Sequence, residues 1–355
     1  MRFLAISVRL RLLCLLLTAA MVGAPGRVGA QGPWESLAPL PTAGEEVVGV
    51  SVGGKIYVLA GLGGLPNYPG VGMVYEYNPG TNTWIKKKPM PIPAHHIMAA
   101  EYNGKIYVFG GFVQVGPIIA WQPIDNSWEY SPDTDTWKPL APLPSKRGAG
   151  GAVVAGGKIY VIGGADVSPG ATDPVIRFAA DRPHVTVDTN EEYDPATNTW
   201  RARRPMPTPR NHFFAGEVGG KVYVIGGRIA SAFITRASNT DIVEEYNPAT
   251  DGWAQKASMP TARSAVGGGV YKGRLYVAGG EAQTEKAMMA FRAFEAYEPA
   301  TNRWHHLPSM RIPRHGLAAG FVGSRFHVIS GDVQTAGIPG VTVYTNAHEA
   351  IDVDK

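Results

Sequence analysis

The chain has 355 residues, of which 33 are basic, 29 are acidic and one is cysteine. Basic residues precede an apolar run from Leu12 to Val22, and small residues follow up to Ala30. This order is typical of a secretory signal peptide, and the run is shorter than the roughly 20 residues of a membrane-spanning helix. We expect residues 1–30 to be a cleaved leader and residues 31–355 to form one secreted or periplasmic domain without a membrane span. An uncleaved N-terminal anchor is the alternative.

Removal of the leader would change the net charge of the protein. The leader contains four arginines and no acidic residue, so 29 basic and 29 acidic residues would remain. A neutral chain lacks the positive field that holds nucleic acid, so we expect no nucleic-acid partner. Cys14, the single cysteine, also lies in the leader. The mature chain therefore has no disulfide, no cysteine-ligated zinc and no cysteine nucleophile.

Three landmarks recur along the chain in constant register. Tryptophans stand at Trp34, Trp84, Trp137, Trp200, Trp253 and Trp304, at intervals of 50, 53, 63, 53 and 51 residues. A strand pattern of the type K-I-Y-V-x-G-G keeps the same intervals, and a Tyr stands seven residues before each tryptophan from Trp84 onward. Repeats of this length are typical of stacked or radial repeat architectures.

Each repeat predicts four short strands in chain order. A strand of small residues comes first, and a Gly-Gly or Asn-Gly hairpin leads from it into the K-I-Y-V strand. A variable loop precedes the strand that contains the Tyr, a tight turn follows, and the Trp strand ends at a Pro-rich connection. One such unit cannot bury both faces of its sheet alone, so we expect the repeats to pack face to face around an axis.

The paired glycines, the Tyr before Pro and the Trp seven residues later resemble the kelch-repeat family, in a form similar to exported bacterial kelch proteins. The resemblance runs from Trp34 to the C-terminus and implies an all-β, six-bladed propeller. The last repeat has no Trp strand of its own. We therefore expect the N-terminal strand at Trp34 to complete the C-terminal blade and close the ring.

Antiparallel strands place all the variable loops on one face of the propeller, where we expect any binding site. Four arginines share one repeat position at the start of the first strand: Arg147, Arg210, Arg263 and Arg314. We expect them to ring the channel mouth, where guanidinium groups could hold a carboxylate or phosphate. A structural role, in which each arginine pairs with acids on adjacent blades or caps carbonyl groups, is equally open.

Histidines cluster near the arginines, with His96 and His212 at one repeat position and His95 and His315 at the position before it. Imidazoles could bind a metal or move protons. We expect these histidines to be spread around the ring without a completing carboxylate, and so we predict neither a metal nor another cofactor. The second-repeat loop is apolar and includes Val113, Val115, Ile118, Ile119 and Trp121. Of these, we expect Trp121 to contact a partner, and the alternative is that these side chains fold over the channel and pack on each other.

Two functions are compatible with this pattern. The first is a binding module that recognises a protein, peptide or glycan, anionic ligands included, through the loop face, and we favour it over an enzyme. A copper radical oxidase resembling galactose oxidase is excluded because it needs a Tyr–Cys cross-link. The alternative is a carbohydrate-active propeller resembling sialic acid mutarotases, in which the arginines would hold the sugar carboxylate and His96, His212 or Asp166 would act as acid or base.

Overall fold

The structure is a computed structural model that describes residues 33–64, 68–116, 120–172, 176–177, 184–234, 237–284, 287–334 and 342–355. The leader expected at residues 1–30 lies outside these ranges, as do Ile118 and Ile119. Within the described residues, no helix is long and apolar enough to cross a membrane.

The strands follow the predicted repeat. The N-terminal strand is β1 (Glu35–Leu37). The first repeat contains β2 (Glu45–Val52), β3 (Lys55–Leu62), β4 (Gly70–Asn78) and β5 (Thr83–Lys86). The second contains β6 (Met98–Tyr102), β7 (Lys105–Phe109), β8 (Phe112–Gln114), β9 (Ala120–Pro123), β10 (Ser127–Ser131) and β11 (Thr136–Pro139). The third contains β12 (Gly151–Ala155), β13 (Lys158–Ile162), β14 (Ala165–Val167), β15 (Ile176–Arg177), β16 (His184–Thr186), β17 (Asn190–Asp194) and β18 (Thr199–Ala202).

The remaining repeats continue the series. The fourth contains β19 (Phe214–Val218), β20 (Lys221–Ile225), β21 (Arg228–Ile229), β22 (Ser238–Asn239), β23 (Val243–Asn247) and β24 (Gly252–Gln255). The fifth contains β25 (Gly267–Tyr271), β26 (Arg274–Ala278), β27 (Glu281–Gln283), β28 (Met288–Ala290), β29 (Phe294–Glu298) and β30 (Arg303–His306). The sixth contains β31 (Ala318–Val322), β32 (Arg325–Ile329) and β33 (His348–Asp352).

The described residues form six four-stranded antiparallel sheets, which are the blades of a propeller. The innermost strands β2, β6, β12, β19, β25 and β31 each contact the next, and β31 contacts β2 again, so the ring is closed. Small residues are required where these strands converge. A Cβ atom on Gly49 of β2, for example, would lie 2.6 Å from the carbonyl oxygen of Ala319 in β31. The predicted all-β, six-bladed propeller is confirmed.

The sixth blade is completed by the N-terminal strand, as predicted. β1 pairs antiparallel with β33, with Leu37 opposite His348. Trp34 is 1% exposed, packs edge-on against Phe294 at 5.2 Å, and donates its indole N–H to the carbonyl oxygen of Pro308 at 2.7 Å. The two chain ends therefore share one hydrophobic core and one hydrogen-bonded sheet.

The seven-residue spacing of Tyr and Trp follows from the hairpin of the third and fourth strands. Tyr130 lies opposite Trp137 in the β10–β11 ladder, and their ring centroids are 4.8 Å apart. The Tyr130 hydroxyl donates to Asp135, which adopts a left-handed φ of 52° in the turn. The same pairing in four other blades explains why the spacing is constant.

Additional strands extend the connections between the second and third strands of four repeats. They form the ladders β8–β9–β15, β14–β16, β21–β22 and β27–β28, which we call the collar. The β9–β15 pairing joins the second repeat to the third. On the opposite face, the first and second strands are joined by tight two-residue turns such as Asn103-Gly104. The collar therefore adds hydrogen-bonded strands to the loop face that are not part of the six blades.

Candidate functional site

The four predicted arginines do not line an open channel mouth. Arg147, Arg210, Arg263 and Arg314 are all 0% exposed, and each forms an ion pair with a glutamate of the third strand in its own blade. The distances are 2.6 Å from Arg147 to Glu191, 2.7 Å from Arg210 to Glu244 and 2.7 Å from Arg263 to Glu295, and Arg314 pairs with Glu349. The prediction that they face a ligand is wrong, and they have a structural role, but their acidic partners lie in the same blade and not in the adjacent blades that we expected.

Backbone contacts complete the environment of these guanidinium groups. Arg147 also donates to the carbonyl oxygens of Gly163 and Val161, each at 3.0 Å. Burial lowers the pKa of each arginine, while the partner glutamate opposes that shift. These arginines connect the start of the first strand to the second and third strands of the blade. Their positive charge is neutralised by the paired glutamate and is not available to a ligand.

The two blades without this arginine also lack the glutamate. Blade 1 has Gly44 and Tyr75 at the two positions, and blade 2 has Ala94 and Trp128. Buried charges require a partner because an isolated one is costly in a low-dielectric interior. The absence of both the arginine and the glutamate in the same blades is therefore what we expect if the two residues form a structural ion pair.

A ring of residues with left-handed backbone conformation surrounds the propeller axis. Each member stands twelve residues after one of the six regularly spaced tryptophans. Its members are Glu46, His96, Ala149, His212, Ala265 and Gly316, with φ between 52° and 61°. Successive members are hydrogen-bonded: the N–H of His212 donates to the carbonyl oxygen of Ala149 at 2.7 Å, and that of Ala265 to His212 at 2.8 Å. A left-handed φ is uncommon for a residue other than Gly and is enriched at functional sites.

The ring brings His96 and His212 together although they belong to blades 2 and 4. Their ring centroids are 4.8 Å apart, and both side chains are 2% exposed. Glu46 of blade 1 supplies a carboxylate, with Oε1 at 3.5 Å from His96 Nε2 and 3.8 Å from His212 Nε2. The expectation that these histidines are spread out without a carboxylate is wrong, because the inner strands of blades that are not neighbours also converge at the axis.

A second, ionic group lies beside the ring. His315 Nε2 is 3.6 Å from a carboxylate oxygen of Glu45 and 3.6 Å from one of Glu281. Arg228 pairs with Glu281 at 2.9 Å, and Asp332 hydrogen-bonds to the backbone of His315. We call Glu45, Glu46, His95, His96, His212, Arg228, Glu281, His315 and Asp332 the axial cluster.

Burial and neighbouring charges strongly shift the pKa values of the axial cluster. Burial and the adjacent Glu45 raise the pKa of Glu46 to about 8. Burial alone would lower the pKa of His315, but Glu281 and Glu45 outweigh it and raise the value to about 10. Burial lowers the pKa of His95 to about 3 and those of His96 and His212 well below the ordinary value. At neutral pH, His315 is therefore an imidazolium, and the other three histidines are neutral.

Trp121 forms an apolar wall of this site. It is 6% exposed, and its ring lies 5.0 Å from that of His95, 4.7 Å from His96 and 4.5 Å from Phe233. The prediction of an exposed partner contact is therefore wrong for Trp121, because the collar strands fold it over the axis. Val115, in the same loop, is 38% exposed.

The sequence analysis missed five members of the axial cluster, although the repeat contains a signal for each. Glu46 occupies the repeat position of His96 and His212, and Glu45 occupies that of His95 and His315. Arg228 and Glu281 each follow the Gly-Gly pair of their repeat, and Asp332 follows Ser330-Gly331 at the same repeat position. At that position the first three repeats have Leu62, Phe112 and Ala165. Aligning the six repeats at this position would therefore have shown that the loop-side end of the channel is polar at repeats 4 to 6 and apolar at repeats 1 to 3.

The donor atoms of the axial cluster include two groups with the spacing of metal ligands. One is Glu46, His96 and His212, and the other is Glu45, Glu46 and His315, with donor atoms within 4.8 Å of one another in each group. The ring residues also line an axial cavity of about 210 Å³. Buried nitrogen and oxygen donors beside a cavity define a candidate ligand site at the loop-side end of the channel.

The fold and this site define a six-bladed propeller with a polar axial cluster on its loop face. The Kelch motif model matches residues 46–91, 99–144, 146–207, 209–260 and 262–311, which is more than half of the chain. The chain belongs to the kelch-repeat family.

Curated relatives agree with this assignment. The chain is 29% identical to the Kelch-like protein terF of Aspergillus terreus, over 81% of the chain and 62% of that protein. It is 26% identical to Kelch-like protein 36 of Rattus norvegicus, over 81% of the chain and 43% of that protein. It is 27% identical to the kelch repeat and BTB domain-containing protein 12 of Homo sapiens, over 50% of the chain and 28% of that protein. The chain spans less than two thirds of the length of each of these relatives.

Proposed function

We propose that the mature chain is an exported binding module that recognises a protein or peptide partner through its loop face. The collar is the observation that carries this proposal, because four repeats add paired strands on one face only. In repeat proteins, insertions within the repeats map to one face, which is often the binding face. Membership of the kelch family supports protein binding as the general role.

Exposed apolar side chains also indicate that the loop face is the binding surface. Among the described residues, the exposed large hydrophobic side chains are Val71, Ile85, Val115, Val270 and Val343. Val71 begins the third strand of blade 1, Val115 lies in the collar, and Val343 precedes the third strand of blade 6, so all three belong to the loop face. Apolar side chains of this kind serve as anchors for a partner.

The buried arginines favour this role over the carbohydrate-active alternative. A sugar carboxylate would need a guanidinium group that is free to reach it, but the four arginines are fully buried and paired with glutamates. The proposal therefore does not require an anionic ligand. Export rests on the leader expected at residues 1–30, and a protein mass that begins at Gln31 is its direct test.

Site-specific photo-crosslinking tests the binding face. A photoreactive phenylalanine analogue replaces Val115 in one variant and Val270 in the other, and each variant is produced in the native host and irradiated. Val270 is the matched control because it is a comparably exposed valine, 36% against 38%, at the turn end of β25. We expect a discrete protein adduct at position 115 and none at 270. Equal adducts at both positions, or none at 115, would contradict the proposal, and retention of the protein on a glycan array would then favour a glycan ligand.

A further inference from the structure

We propose that Glu46, His96 and His212 together bind one divalent first-row transition metal ion at the loop-side end of the channel. The three side chains come from blades 1, 2 and 4 and occupy one repeat position. Two imidazoles and one carboxylate form a donor set that suits Zn²⁺ or Fe²⁺. The proposal is independent of the binding role of the collar.

The distances between donor atoms fit a shared ion. Glu46 Oε1 lies 3.5 Å from His96 Nε2 and 3.8 Å from His212 Nε2, which is too long for good hydrogen bonds. Two ligand atoms that are each about 2.1 Å from a tetrahedral Zn²⁺ are about 3.4 Å apart. The two spacings from Glu46 need to contract by only a few tenths of an ångström to reach that geometry, and all three donor atoms lie within 4.8 Å of one another.

Hydrogen bonds to the other ring nitrogen orient His212 as a ligand. His212 Nδ1 lies 2.5 Å from Asn211 Oδ1, and Asn211 donates its own amide N–H to the carbonyl oxygen of Ser231 at 2.9 Å. The amide oxygen is therefore the acceptor, and the His212 proton is on Nδ1. The lone pair of His212 is then on Nε2, which is buried and has no hydrogen-bond partner among the described residues. Metal-ligating histidines have this kind of outer partner.

His96 is arranged in a similar way. Its Nδ1 lies 2.5 Å from His95 Nδ1, so one of the two nitrogens donates and the other accepts. When His96 is the donor, its Nε2 lone pair faces Glu46. The packing of Trp121 against both rings fixes their planes. With this tautomer of His96, both histidines direct a lone pair at the same carboxylate oxygen.

The axial cluster also contains more acidic than basic side chains. Its acids are Glu45, Glu46, Glu281 and Asp332, and the basic side chains beside them are Arg228 and His315. An excess of acidic side chains suits a cation site, because a bound dication would compensate the carboxylates that it contacts.

His315 distinguishes this ligand set from the alternative group of Glu45, Glu46 and His315. His315 Nε2 lies 3.6 Å from a carboxylate oxygen of Glu45 and 3.6 Å from one of Glu281, so it is shared between two acids. His96 Nε2 and His212 Nε2 instead face one and the same oxygen, Oε1 of Glu46. We therefore assign the metal to them.

The rest of the ring leaves room at the ion. Ala149, Ala265 and Gly316 fill the other three ring positions with small side chains, and the ring lines a cavity of about 210 Å³. Three protein ligands leave at least one coordination position open, as in metal sites that bind water or a small ligand. The site would therefore take a small oxygen- or nitrogen-donor molecule as its further ligand.

Zinc binding by the purified mature chain, residues 31–355, tests the proposal. The protein is stripped with a chelator, loaded with Zn²⁺ and passed through gel filtration, and the bound zinc and its affinity are measured. We expect one zinc per chain, and at least a 100-fold loss of affinity in His212→Ala and in Glu46→Gln. Failure of the parent to retain zinc would overturn the proposal.

Two control variants separate this site from other zinc ligands. His306→Ala removes a surface histidine that is 78% exposed, and we expect it to bind zinc like the parent. His315→Gln removes the histidine of the alternative group, and we expect it to retain the zinc with less than a tenfold change in affinity. Loss of zinc in His315→Gln with retention in His212→Ala would overturn the assigned ligand set.

A measurement on the unaltered protein covers the case in which a variant fails to fold. Cu²⁺ loaded at one equivalent gives an electron paramagnetic resonance spectrum in which directly bound imidazole nitrogens are counted from their couplings. We expect two nitrogens. A spectrum without nitrogen coupling, or with three or more nitrogens, would contradict the proposed ligands.

Discussion

Deletion of residues 33–41 should leave the protein unfolded or lower its melting temperature by at least about 10 °C. The deleted segment contains Trp34 and Leu40, which are 1% and 0% exposed, and all of β1. Loss of one such buried side chain typically costs about 2–5 kcal/mol, and the whole free energy of unfolding of a domain is about 5–15 kcal/mol. The deletion also leaves the edge of β33 without its partner, so the blade that closes the ring becomes three-stranded.

Glu35→Gln is the matched control for this deletion. Glu35 lies in the same strand, but its side chain is 62% exposed and pairs with Arg325 at the surface. We expect its melting temperature to stay within about 2 °C of the parent, because exposed ion pairs contribute roughly 0–1 kcal/mol. A deletion variant that melts as the control does would mean that β1 is dispensable for closure.

Arg210→Met should destabilise the protein by about 3–5 kcal/mol. The substitution leaves Glu244 buried in blade 4 without the guanidinium that lies 2.7 Å away. The double variant Arg210→Met with Glu244→Met should recover most of the loss, because apolar residues of similar volume can replace a buried ion pair at little cost. Blades 1 and 2, which have no such pair, show that the fold accepts this exchange. Denaturant unfolding of both variants measures the coupling.

The exposed Arg201, in β18, provides the control for the loss of an arginine. Arg201→Met should change the free energy of unfolding by less than about 0.5 kcal/mol. Unchanged stability in Arg210→Met, together with weaker binding of any partner found by crosslinking, would instead restore the reading in which Arg210 faces a ligand.

The sequence predicted the fold because its repeat reports on pairing between neighbouring strands. The Tyr–Trp spacing is a hairpin register, and the small residues of the first strand reflect the close approach of inner strands, as at Gly49. Ring closure was also predictable, because Trp34 is the one of the six regularly spaced tryptophans that has no Tyr seven residues before it. These features could be read from the sequence because each one involves residues close together in the chain or recurs from repeat to repeat.

The candidate site was not predictable to the same degree, because it is formed across the axis. His96 and His212 are two blades apart in sequence and only 4.8 Å apart by ring centroids. The arginines were misplaced for a related reason: their partners Glu191 and Glu244 lie 44 and 34 residues further along the chain, in third strands.

Anomalous diffraction from crystals of the mature chain grown with Zn²⁺ tests the central claim, that the functional site lies where blades 1, 2 and 4 meet at the axis. The account predicts one strong peak at about 2.0–2.2 Å from Glu46 Oε1, His96 Nε2 and His212 Nε2. Ordered Glu46, His96 and His212 side chains with no anomalous peak between them, or zinc found only on surface histidines, would contradict it.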